Sequence, residues 1–172
     1  MSMRSTEAPK NKFHSGEIEA QYLWGVDGQW DDKRTEKLLW SHIPNEYHKR
    51  IEQTQFFFLA TSNAIGQCDC SFKGGGPNLV RVLSETRLAF PDFDGNGAFM
   101  SLGNILQNPQ VGMLFIDFAD GARLRVNGSA QIHNEGEMMK LFNAASRVVV
   151  VDINLVVPNC KAYIPIIKTI GS

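Results

Sequence analysis

The chain has 172 residues, 43% hydrophobic and 20% charged, with a formal net charge of −1. That is enough chain to bury a core without disulfide or metal staples. A near-zero net charge supplies no global field for nucleic acid or for a charged membrane surface. The three cysteines, Cys68, Cys70 and Cys160, make no disulfide framework. Neither a signal-peptide core nor a run near the ~20 apolar residues of a membrane span occurs. A reducing, cytoplasmic compartment is therefore expected, with no membrane partner.

Residues 1–12 are polar and are expected to be disordered or loosely packed, ahead of one domain over 13–172. Gly16–Trp24 reads as a short helix on the spacing of Ile18, Tyr22 and Leu23. Gly25-Val26-Asp27-Gly28 breaks it. A second helical stretch is expected over Thr35–Ser41, and a third from Pro44 to about Gln53.

The character changes at Gln55. Phe56–Thr61 is a buried strand, followed by a turn over Asn63–Gln67. In Cys68–Lys73 the residues Cys68, Cys70 and Phe72 alternate with Asp69, Ser71 and Lys73. This predicts a strand with its cysteine and phenylalanine face on a core and its other face on something polar. Leu79–Leu83 and Arg87–Pro91 read as a hairpin. Asp92–Gly97 is a loop, and Phe99–Gln107 a helix stopped by Asn108-Pro109. Gln110–Phe118 is an apolar strand, Asp120-Gly121 a hairpin turn, and Arg123–His133 the returning strand. Glu135–Ala145 is expected to be a helix and Val148–Val157 a final strand, followed by an apolar tail over Pro158–Ile167. Six or so strands with short turns and a few flanking helices make a mainly antiparallel barrel.

Several groups carry possible chemistry. Gly95-Asn96-Gly97 fails the dinucleotide fingerprint, because Met100 occupies the third glycine position. The junction over Asp92–Ser101 still delivers free N–H groups at a helix start, together with the Ser101 hydroxyl. Such a start suits a phosphate, although most bind only water. Ser71 and Lys73 share a strand face and precede three glycines, which suits a ligand as well as it suits an edge strand guarded by a lysine. Arg123 and Arg125 share a face that meets either an anion or solvent. Cys68-x-Cys70 lacks the four-ligand set of structural zinc, so buried or half-buried free thiols are expected. Trp24, Trp30 and Trp40 are expected to anchor packing.

In order, Phe58-Leu59-Ala60-Thr61, Ser71-x-Lys73-Gly74-Gly75-x-Pro77, Val80-Arg81-Val82, Leu88-x-Phe90-Pro91-Asp92, Gly95-Asn96, Asn104-x-x-x-Asn108-Pro109-x-Val111-Gly112 and Leu124-Arg125-Val126-Asn127-Gly128 resemble the pyridoxamine 5′-phosphate oxidase-like, FMN-binding split-barrel family. Phe13-His14-x-Gly16-Glu17 and Pro158-Asn159-Cys160-Lys161 resemble its general-stress, oxidoreductase branch. The resemblance runs from about residue 13 to 165. It implies a six-stranded Greek-key split barrel, a homodimer, FMN at the dimer interface and a small-molecule redox substrate. Ser71, Phe72 and Lys73, with Asn96, Met100, Ser101 and Asn104, match the phosphate end of the flavin site. Pro91 and Asp92 match the ribityl or ring wall. Arg123 and Arg125 match a strand that reaches the flavin of the other subunit.

The chain departs from this pattern in two places. Gly97-Ala98 stands where the branch often carries Asn-Arg, so one phosphate-neutralising cation is missing, with Lys73, Arg123 or Arg125 left to replace it. The chain ends Ile166-Ile167-Lys168-Thr169-Ile170 instead of in the tail that grips the substrate phosphate in true pyridoxamine phosphate oxidases. Oxidation of vitamin B6 is therefore not implied. No acid or base is evident, and no catalytic residue is assigned. A non-catalytic flavin binder, or a barrel that takes a deazaflavin or haem, remains as an alternative reading.

Overall fold

The computed structural model describes residues 12–159 and 163–165, which divide into two compact units at the Leu39/Trp40 boundary. Residues 1–11, Cys160–Ala162 and 166–172 lie outside the described residues. So do the expected disorder of the first residues, the Cys160 thiol and most of the apolar tail. Among the described residues no helix is long and apolar enough to cross a membrane.

The first unit holds α1 (Ser15–Leu23) and α2 (Asp32–Leu38). His14 starts α1 with a capping box: its Nδ1 accepts from the Gly16 amide at 3.1 Å, and its own amide donates to Glu17 at 3.0 Å. The second helix begins three residues earlier than the sequence suggested. The Asp31 carboxylate accepts from the Arg34 amide at 2.7 Å and so fixes the start. Trp30 packs edge-on to Phe13 at 5.1 Å, whereas Trp24 is 77% exposed and anchors nothing.

The second unit contains α3 (Asn45–Glu52), β1 (Phe56–Ser62), β2 (Cys68–Gly74), β3 (Arg81–Ser84), β4 (Arg87–Asp92), α4 (Met100–Gln107), β5 (Gln110–Ile116), β6 (Arg123–His133) and β7 (Arg147–Asn159). The seven strands form one antiparallel sheet in the order β2-β1-β5-β6-β7-β4-β3. This is one strand more than the six implied by the resemblance, because the four-residue β3 pairs with β4 at the sheet edge. Turn residues set the corners. Asn63 Oδ1 accepts from the amides of Ile65 and Gln67, with Gly66 at φ +82°.

The sheet wraps a core of alternate residues: Phe57, Leu59, Phe90, Met113, Val126, Val149 and Val151 are fully buried. Phe57 sits at its centre, 5.1 Å from Phe90 and 5.5 Å from Phe115. Each such side chain contributes about 1.5–3 kcal/mol by leaving water.

Two expectations are corrected. The alternation in β2 is real, but it faces the other way. Cys68 and Cys70 are exposed free thiols and Phe72 is 62% exposed, while Asp69, Ser71 and Lys73 are half-buried. The start of α4 packs over the polar face, and Phe72 stacks on Phe56 at 5.3 Å on the outer face. The stretch Glu135–Ala145 forms only a 3₁₀ turn over Glu137–Leu141. Gly136 enters it at φ +82°, and Met138, Met139, Leu141 and Phe142 pack on a small cluster of Ala89, Val148 and Val150. That packing overrides helix propensity.

Candidate functional site

One cleft gathers most of the polar groups singled out in the sequence. β2 places Asp69, Ser71 and Lys73 on a single face by its two-residue period. Facing them is the first turn of α4. Phe99, at φ +49° in the left-handed region, ends the preceding loop and gives the helix no side-chain cap. The first amides of α4 are therefore left for an outside acceptor. Ser71 Oγ and Ser101 Oγ lie 2.9 Å apart, and Ser101 Oγ donates to Asp69 Oδ2 at 3.3 Å. The loop Phe93–Ala98 closes the third side, with Gly97 at φ +76° and Asn96 Oδ1 accepting from the Ala98 amide at 3.0 Å. The cleft encloses about 230 Å³.

Its charges are unevenly spent. Asp92 at the end of β4 is paired in register with Arg147 at the start of β7. Arg147 Nε donates to Asp92 Oδ2 at 2.8 Å, and Nη2 donates to Asp94 Oδ1 at 3.2 Å. The same guanidinium lies 4.8 Å from the centre of the Phe99 ring. The hydrogen bond donated to Asp92 is the main cause holding the Arg147 pKa above its ordinary value, against some desolvation. Asp92 thus serves to pin the loop. Lys73 makes no ion pair among the described residues and stays available to an anion.

Of the residues expected at a cofactor site, Ser71, Lys73, Asp92, Asn96, Met100 and Ser101 line this cleft. Phe72 points to the opposite face of β2, and Pro91 is buried in β4. Asn104 Nδ2 donates to Thr61 Oγ1 at 3.0 Å, so it ties α4 to β1. Arg123 and Arg125 sit on β6, outside the cleft, and Arg123 lines a separate cavity of about 820 Å³. Sequence reasoning missed Asp69, Phe99 and Arg147. A detectable signal for Arg147 was its place just before the apolar run Val148–Val151, opposite an acidic strand end. Among the described residues no three His, Cys, Asp or Glu side chains are grouped to hold a metal ion.

Residues 43–154 match the sequence profile of the family described as pyridoxamine 5′-phosphate oxidase. No curated protein matches the chain. Among solved structures, HupZ of Group A Streptococcus aligns with a TM-score of 0.55 at 18% identity, covering 67% of this chain and 94% of its own. An FMN-binding protein of Syntrophomonas wolfei subsp. wolfei aligns with a TM-score of 0.52 at 12% identity, covering 81% of this chain and 97% of its own. These likenesses establish the fold, a mainly antiparallel split barrel with flanking helices.

Proposed function

This chain belongs to the pyridoxamine 5′-phosphate oxidase family, and on that premise we propose that it is a flavoprotein. In this reading it holds FMN with the phosphate in the β2–α4 cleft, works as a homodimer and oxidises or reduces a small molecule. The observation that carries the reading is the meeting of Ser71 and Ser101 at 2.9 Å beside an uncapped helix start and an unpaired Lys73. Free amides, one ammonium and the Ser71 hydroxyl, once turned from Ser101, make a donor set for a phosphate. Glycine at 97 keeps the loop in a conformation that L side chains rarely adopt. Bound FMN would supply the electron transfer, while the protein orients it and shields it from water.

Size argues for a second copy. A ligand as large as FMN needs a pocket on the order of 300–1,000 Å³, and the cleft provides about 230 Å³. It fits the phosphate end, leaving the ring to be covered by another surface. Phe56, Phe58 and Phe72 gather on the outer sheet face with ring centres 5.3–6.2 Å apart, and Phe72 is largely exposed. An aromatic patch with an exposed ring of this kind supports the reading of an interface there. The exposed thiols Cys68 and Cys70 fit a reducing, cytoplasmic setting.

The test is the small molecule that purifies with the protein. FMN identified by mass spectrometry, with flavin absorbance retained after dialysis, supports the reading. Faster reduction by NADH or NADPH than free FMN shows supports the oxidoreductase. Bound FMN without that gain favours a non-catalytic binder, and a deazaflavin or haem in its place overturns FMN.

A further inference from the structure

Protons are unevenly distributed in the cleft between β2 and α4. Ser71 Oγ and Ser101 Oγ lie 2.9 Å apart, and Ser101 Oγ donates to Asp69 Oδ2 at 3.3 Å. A hydroxyl carries one proton, and an ionised carboxylate carries none. Ser101 has therefore committed its proton to Asp69, and toward the cleft it offers only lone pairs. Of the three side chains, Ser71 alone has a proton free to turn outward. Asp69 is half-buried, lines the same cleft of about 230 Å³ and makes no ion pair among the described residues. The other charged groups around it are Lys73, two residues along the same strand face, and Asp92 and Asp94, both held by Arg147. Met100–Gln107, the helix opposite, carries no titratable side chain.

A phosphate monoester loses its second proton at about pH 6 and is a dianion above that. The dianion brings acceptors only, into a cleft where a carboxylate also only accepts. Two anionic groups sharing one site favour the form that keeps a proton between them. We propose that Asp69 is a specificity-determining residue: it makes this cleft take a phosphate monoester as the singly protonated monoanion, so that FMN takes up a proton as it binds. The inference rests on the flavin reading. The P–OH group donates to the Asp69 carboxylate as a charge-assisted bond. Lys73 and the first amides of α4 are left for the unprotonated oxygens. Because the proton comes from solvent, binding weakens as the pH rises.

The test is calorimetric titration of the full-length protein with FMN, at about pH 8 in buffers of different ionisation enthalpy, which should show uptake of about one proton. Flavin fluorescence should show FMN affinity falling about tenfold per pH unit between about pH 7 and 8.5. Riboflavin, which has no phosphate, should keep a flat profile. In Asp69→Asn both the uptake and the slope should vanish, and at the alkaline end FMN should bind about tenfold more tightly than to the natural chain. A carboxylate with a merely structural role would, when lost, weaken FMN at every pH. The uptake by the natural chain needs no variant, so it decides the matter even if Asp69→Asn fails to fold. FMN that binds without proton uptake, or uptake that persists in a folded Asp69→Asn, overturns the inference and leaves the flavin reading standing. No binding of FMN at any pH removes both.

Discussion

Ser71 on β2 and Ser101 on α4 are thirty residues apart in the chain and meet hydroxyl to hydroxyl at 2.9 Å. The contact joins an edge strand to a helix start and sets the shape of the cleft between them. Ser101 reaches further, donating its proton to Asp69 at 3.3 Å. Replacing Ser71 or Ser101 by alanine should weaken FMN binding about five- to tenfold each, the range of one hydrogen bond. The double variant should lose less than the product of the two, because the hydroxyls act as a unit. Quenching of flavin fluorescence on binding measures all three.

Arg147 acts on the same cleft from behind. It joins Asp92, Asp94 and the Phe99 ring, and so holds the loop that carries Asn96 and Gly97. Arg147→Gln should speed hydrogen exchange at the amides of 95–99 and weaken FMN, while the barrel strands keep their protection. Exchange that rises equally across β1 and β5 would show that Arg147 supports the whole fold instead.

Much of this was legible in the sequence. The two-residue period placed the strands, and Asn108-Pro109 stopped α4 where expected, the Asn108 side chain accepting from the Gln110 amide at 3.2 Å. Ser71, Lys73 and Ser101 were picked out because hydroxyls and an ammonium on one face or at a helix start suit an anion. What periodicity does not encode is which face of a strand turns inward. β2 is an edge strand, and its half-buried face is the one under α4, a long-range contact. Arg147 escaped notice for the same reason: its partners are 55 and 53 residues away. Arg123 and Arg125 do share a strand, but the register of β6 carries them away from the cleft.

The outer aromatic face bears on assembly. Phe72→Asp puts a charge beside Phe56 and Phe58, where burial in an interface would leave it unpaired. Sedimentation should show a dimer for the natural chain and a monomer for the variant, with the circular dichroism of the barrel unchanged. A natural chain that sediments as a monomer contradicts the assembly proposed here.

Two substitutions test the barrel itself. At the bulge in β6, a Cβ on Gly128 would collide with the Asp152 carbonyl and come within 2.6 Å of Val151 Cγ1. Gly128→Ala should cost roughly 1–3 kcal/mol. Phe57→Ala empties the centre of the core, where Phe90 and Phe115 both meet it, and should cost about 3–5 kcal/mol. Urea unfolding measures both, and a loss under about 1 kcal/mol at Phe57 would be too small for a buried aromatic at the packing centre.

The account rests on the cleft between β2 and α4 gripping a phosphate. Comparing FMN with riboflavin, which lacks only that phosphate, asks the question directly. The natural protein should bind FMN at least about tenfold more tightly, and Lys73→Ala should erase most of the difference by weakening FMN alone. Equal affinity for the two flavins, or a preference for FMN that survives intact in Lys73→Ala, would contradict it.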